Sequence, residues 1–256
     1  MKKNLLFVLI IVLSTISCTD NSNNSFNQAN ISFNFKHNWD GTSITNSDFN
    51  TIKFINSNGE NLSIERLRYL ISKITFTTSA GEKLVFNDYN LVDLTYASNL
   101  SYNLITTIPI GTYNNVSFTF GFDNDANYNG NYADLNSVSW NVPAMLGGGY
   151  HFMQLEGKFT DNNTQETGYA YHVIRAVDNT GDSLIFEDTF FEVNFGSVTI
   201  SDDTIFNIEM NIAEWFKNPN TWDLKVLNNM LMPNYDAQIM MFENGQNVFS
   251  LESIEQ

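Results

Sequence analysis

The chain has little of what usually announces a protein's chemistry. One cysteine, Cys18, stands among 256 residues, so no intramolecular disulfide can staple the fold. Lysine and arginine number 12 against 28 aspartates and glutamates, a net charge of −16. A field of that sign excludes nucleic acid as a partner, because affinity for phosphate backbones comes from cations that neutralise them. No stretch rich in Pro, Gly or Ser divides the chain, whose length suits one large β domain. The apolar run Leu5–Leu13 has roughly nine residues, well short of the ~20 that a transmembrane helix needs. No nucleophile elbow, P-loop or dinucleotide fingerprint occurs, and nothing argues for an enzyme.

What is present at the N-terminus has the order of a secretory signal. Lys2 and Lys3 precede the apolar run, and Ser14, Thr15, Ile16 and Ser17 lead into Cys18. The stretch resembles a lipobox, in which a small residue precedes the cysteine that is lipidated and becomes the new N-terminus. Residues 1–17 are therefore expected to be a lipoprotein signal peptide. The polar segment TDNSNNSFNQAN has almost nothing to bury, which makes 18–30 a flexible tether and 31–256 one β-rich domain. The expected location is the cell envelope: lipid-anchored through Cys18, in the outer membrane, periplasmic or surface-facing.

Periodicity gives the class of that domain. Ile31, Phe33, Phe35, His37 and Trp39 alternate with polar residues, the period of a strand with one buried face. Short runs of the same kind recur at Ser63–Thr77, Leu84–Phe86, Asn103–Pro109, Val116–Phe122, Tyr150–Phe159, Tyr169–Val177, Ser183–Phe186, Thr189–Phe195 and Thr204–Ile212, separated by turn-prone pairs such as Asn58-Gly59 and Thr180-Gly181. The expected fold is mainly β, an antiparallel β-sandwich with a short helical C-terminal segment at Ala213–Phe216, Trp222–Met232 and Ala237–Phe242.

The chemistry falls to few residues. Strand parity turns each of the three histidines inward: His37 at the end of the first strand, His151 with Met153 and Leu155, and His172 with Ala170 and Ile174. An even-length hairpin loop within Thr160–Thr167 would put His151 and His172 on one face of paired strands. A lone inward histidine is most often a satisfied core residue, but three of three suggest a metal site, since imidazole is a common ligand for copper and zinc.

The segment Trp140–Gly157, WNVPAMLGGGYHFMQLEG, resembles the central motif of MbnP-like copper-binding proteins, in which a tryptophan-containing loop leads to a Gly-Tyr pair and then a Leu-Glu-Gly strand. Other pieces follow in the family's order: His37 before Asp40-Gly41, Leu67–Ser72, the turn Pro109–Tyr113, Phe120–Asp123, Tyr171-His172, and Glu243-Asn244 before Val248-Phe249. The resemblance implies an envelope protein that binds one copper ion for acquisition, storage or delivery, with His37, His151 and His172 as ligands. It also implies a di-haem cytochrome partner of the peroxidase type that oxidises a tryptophan, for which Trp39 and Trp140 are the candidates, either as the modified residue or as a neighbour of the ligands. The two-tryptophan loop of some relatives has one tryptophan here, Trp140, followed by Pro143 and three glycines, so the modification is not carried over.

Other features carry less. Asp125–Gly130 copies the opening of an EF-hand loop, but Asn136 stands where the bidentate glutamate belongs, so a solvated loop is expected at Asp125–Asn129 rather than calcium. Met230, Met232, Met240 and Met241 suggest soft thioether ligands, though their helical spacing favours core packing. The alternative to copper binding is a metal-free surface module that takes glycan or protein through aromatic loops such as Tyr128–Tyr132. Anchoring by two or more acyl chains is durable where one is marginal. Cys18→Ser is therefore expected to move the protein from the membrane to the soluble fraction, or to stall its processing; unchanged membrane fractionation would contradict the lipoprotein reading.

Overall fold

The computed structural model describes residues 27–256; the signal sequence, Cys18 and most of the expected tether lie outside the described residues. The domain begins earlier than Ile31. Gln28–Ala29 pairs antiparallel with Ile108–Pro109, and Ala29 is buried.

Two sheets face each other across an aromatic core. The smaller is built on β1 (Ile31–Trp39), whose odd-numbered residues are buried as alternation requires. The larger is built on β2 (Arg66–Thr78), a 13-residue strand paired along one edge with β3 (Lys83–Asp93). The other edge of β2 is divided. From Ile71 to Thr78 it pairs with β4 (Gly111–Phe120), and from Arg66 to Tyr69 with β5 (Met153–Thr160). The division falls at Leu70, whose N–H donates to Phe152 O at 2.9 Å and whose carbonyl accepts from Gly121 N at 2.8 Å. Strand β6 (Glu166–Val173) lies antiparallel on β5, and β7 (Phe191–Asn194) on β4. In the smaller sheet β8 (Thr204–Asn211) runs parallel to β1, and β9 (Phe249–Glu255) antiparallel to β8. The protein is thus mainly β and predominantly antiparallel, with one parallel pairing among the described residues.

Aromatic rings join the sheets. Phe76 of β2 meets Phe206 of the smaller sheet edge-on at 6.1 Å, and Phe35 meets both Tyr69 and Phe118 at 6.3 Å, while Phe33 stacks at 4.9 Å on Phe206, its register partner within the smaller sheet. Such offset and edge-to-face pairs each contribute ~0.5–1.5 kcal/mol beyond area burial.

The C-terminal segment is only partly helical. A short 3-10 turn spans Ile212–Phe216 and an α-helix spans Tyr235–Gly245. Trp222–Met232, expected to be helical, is irregular, because its backbone groups are taken by distant partners. The buried Glu60 carboxylate accepts from Leu224 N and Lys225 N, and Asn228 O accepts from Ala170 N on β6. Met241 and Met240 do pack on the helix as expected, but Met230 and Met232 lie outside any helix, and Met230 is 75% exposed.

One close crossing allows no side chain. A Cβ on Gly157 of β5 would come within 2.1 Å of Ser63 O, where Ser63 N donates to Lys158 O at 2.8 Å. Overpacking typically costs about 1–3 kcal/mol. A clash with backbone has no rotamer to relieve it, so Gly157→Ala should fall at or above the top of that range, read as a lowered midpoint in urea unfolding.

Candidate functional site

Facing on β2 sorts the histidines. Tyr69 points between the sheets and Arg68, its neighbour, to the opposite face. His37 meets Tyr69: its Nε2 is 3.2 Å from the hydroxyl, and the rings are edge-on at 5.8 Å. It is a buried core histidine, and burial pushes its pKa down to about 4. On the outer face Arg68 donates through Nε and Nη2 to Gln154 Oε1, and Gln154 is the register partner of His172. His172 therefore lies on the face of the larger sheet away from His37, and the three-histidine ligand set is not assembled. Among the described residues no group of three or more His, Cys, Asp or Glu side chains is placed to hold a metal ion. The inward expectation for His172 is also overturned: Tyr169, Tyr171 and Val173 are the buried residues of β6, and His172 faces the half-covered outer side.

His151 and His172 do meet, with ring centroids 5.2 Å apart at 85°. The route differs from the expected one. The β5–β6 loop holds an odd number of residues, Thr160 being paired with Glu166, and His151 precedes β5 rather than lying in it. Strand parity therefore does not govern His151. It is carried there by the segment from Trp140, which folds back on itself: His151 N donates to Trp140 O at 2.9 Å and Val142 N to Gly149 O at 2.9 Å. The reversal passes through Gly147, Gly148 and Gly149 with φ of 90°, 68° and 79°, a run of left-handed backbone that residues bearing a Cβ rarely adopt. A Cβ on Gly149 would also lie 2.5 Å from Asn127 Oδ1, which accepts from Tyr150 N. This inward use of Asn127, a buried residue, means that the Asp125–Asn129 loop is not simply solvated.

Each ring of the pair has one nitrogen fixed. Nδ1 of His151 donates to Trp140 O at 2.9 Å, since a carbonyl can only accept. That leaves Nε2 as the lone-pair nitrogen, buried and without a hydrogen-bond partner among the described residues. Burial, opposed by the Trp140 carbonyl and helped by His172 and Arg68, holds its pKa down at about 4. Nε2 of His172 lies 2.8 Å from Glu156 Oε1, which Arg66 Nη1 also contacts at 2.7 Å. The His172 hydrogen bond foremost, then Arg66, keeps the Glu156 carboxyl below its ordinary value against partial burial. Trp140 is fully buried beside His151 at 5.7 Å and under the Arg68 guanidinium at 5.0 Å. Trp39 is remote from the pair, stacked on Phe54 at 4.9 Å. In the aromatic loop of the alternative reading, Tyr132 stacks inward on Phe122 at 4.7 Å, leaving Tyr128 exposed alone.

Glu156, Arg66, Arg68 and Gln154 were not legible as site residues. The signal that could have found them is cross-strand charge and amide pairing, which requires the register to be known.

Two buried neutral histidines make stability depend on pH. Above the unfolded value of about 6.5 neither state binds a proton. Between about 6.5 and 4 the unfolded chain takes up protons that the folded chain refuses, so stability falls as pH falls, by up to about 3 kcal/mol per histidine. Urea unfolding from pH 7 to 4 should show this, with a shallower slope for His37→Gln; equal slopes would contradict the burial of neutral His37.

No curated protein sequence matches the chain. Among solved structures it is similar to MbnP from Methylosinus trichosporium, with 14% identity, a TM-score of 0.49, and coverage of 76% of this chain and 80% of that one. The family model MbnP matches residues 28–239, and the chain belongs to the MbnP family.

Proposed function

We propose that this protein is a lipid-tethered envelope protein that binds a single copper ion through His151 and His172, for acquisition, storage or delivery. The observation that carries the reading is the orphaned Nε2 of His151. Five buried side-chain atoms lack a partner among the described residues, and the other four are N–H or O–H groups; His151 Nε2 alone offers a bare nitrogen lone pair, the kind of atom a metal ion takes. The donor set fits: two imidazoles close together, each oriented through its other nitrogen by a carbonyl or a carboxylate, which is how proteins fix the tautomer and direction of metal-ligating histidines. Arg66 holds Glu156 on His172, and Arg68 over Trp140 covers the loop that carries His151. The covered setting keeps His151 neutral, so its lone pair is available without displacing a proton.

Copper(II) titration of folded variants tests this. His151→Ala should abolish one-to-one binding, and Glu156→Gln should weaken it by about 10–100-fold, the typical loss for an orienting partner. His37→Gln should leave affinity unchanged. Undiminished binding by His151→Ala, with an unchanged circular dichroism spectrum, would remove the site.

A further inference from the structure

Beside His172 lies a cleft of about 360 Å³ whose walls are two loops of like construction. In each, a buried leucine pins the chain next to methionine, one in the first loop and two in the second. Met145 precedes Leu146, and Met230 and Met232 bracket Leu231. Met145 and Met230 are 76% and 75% exposed, whereas Met153, Met210 and Met241 elsewhere in the chain are fully buried. The cleft lining includes no carboxylate, lysine or arginine.

The methionine loop is held in register with His172. The buried amide of Gln238 donates through Nε2 to His172 O at 2.8 Å and to Leu231 O at 3.0 Å, while its Oε1 accepts from Ile174 N at 2.9 Å. Asn228 O, upstream, accepts from Ala170 N at 2.8 Å. Between these ties Met230 takes a φ of 53°, left-handed backbone that is uncommon for a residue with a side chain. The loop is thus built to present its side chains at one place rather than left loose. His172 spends Nε2 on Glu156, and its Nδ1 has no hydrogen-bond partner among the described residues.

We propose that this cleft binds a soft monovalent cation, Cu(I) or Ag(I), through the thioethers of Met145, Met230 and Met232, with the His172 imidazole as the remaining donor. Thioether sulfur is a soft ligand that selects Cu(I), and neutral donors with no carboxylate offer little to hard or divalent ions. The inference draws on the histidine-pair reading only in sharing His172, whose one free nitrogen serves a single ion at a time, so the two sites are alternatives rather than occupied together; the thioether donors are independent of His151.

The test compares the full chain with Met145→Leu/Met230→Leu/Met232→Leu, substitutions close in volume. Ag(I) and Cu(I) affinity is measured by competition with a chromogenic chelator, and Cu(II) affinity in parallel. The triple variant should lose at least tenfold in Ag(I) and Cu(I) affinity and keep its Cu(II) affinity, and X-ray absorption of the Cu(I)-loaded protein should show sulfur ligands. Should the triple variant not fold, Met145→Leu/Met230→Leu, confined to exposed side chains, carries the same expectation. Unchanged Ag(I) affinity in the folded variant, or no Ag(I) binding by the full chain, overturns the proposal. Methionine-dependent Ag(I) binding alongside Cu(II) binding indifferent to His151→Ala would instead sustain this cleft and remove the histidine pair. Cu(II) binding lost in His151→Ala, with Ag(I) affinity indifferent to the methionines, would sustain the histidine pair and remove the cleft.

Discussion

The backbone of Leu70 is the point on which the larger sheet turns. Its N–H goes to Phe152 and its carbonyl to Gly121, so one edge of β2 serves two strands that arrive from different parts of the chain. Both arrivals are tight: Gly121 has a φ of 84°, and a Cβ there would lie 2.5 Å from the Phe152 ring. Because Phe152 is fixed at this junction, His151 must enter from outside β5. The segment back to Trp140 must then lie over the outer face. The meeting of His151 with His172 follows from where β2 changes partners.

The two faces of that sheet do different work. The inner face is aromatic and supplies most of the cohesion, with His37 absorbed into it through Tyr69. The outer face carries a row of cross-strand polar pairs, Arg66 with Glu156 and Arg68 with Gln154. Arg66 and Glu156 are 42% and 26% exposed at their side chains, a setting in which an ion pair is worth only about 0–1 kcal/mol. Its effect is therefore one of orientation: the guanidinium biases the carboxylate toward the imidazole it faces.

Alternation makes the sheet legible and misleads at the site. β1 follows the period from Ile31 to His37, because a long strand with one wet face has a clear alternation, and departs from it only at Asn38, which is buried. For His172 the period points the wrong way because both flanks of its side chain, Ala170 and Ile174, are apolar, while the buried side of β6 is carried by Tyr169, Tyr171 and Val173. For His151 it does not apply, because the strand begins two residues later, at Met153. The last strand, Phe249–Glu255, has no clear period: it rests on the core only through Phe249, Leu251 and Ile254, and a register shift breaks the alternation between the last two. Trp222–Met232 has a helical spacing that tertiary hydrogen bonds from Glu60 and β6 override. Side-chain chemistry can be read locally; which groups converge depends on register.

The Trp140 carbonyl accepts both the main-chain and the ring N–H of His151. The atom that settles the tautomer of that histidine is thus part of the backbone, which every residue type possesses. Point substitution at position 140 can remove an indole without removing this acceptor, so the protonation pattern of His151 is inherited from the path of the chain rather than from the identity of its neighbour. Related chains could vary widely at that position and still present the same lone pair, provided the glycine-lined reversal that brings the two residues together is preserved.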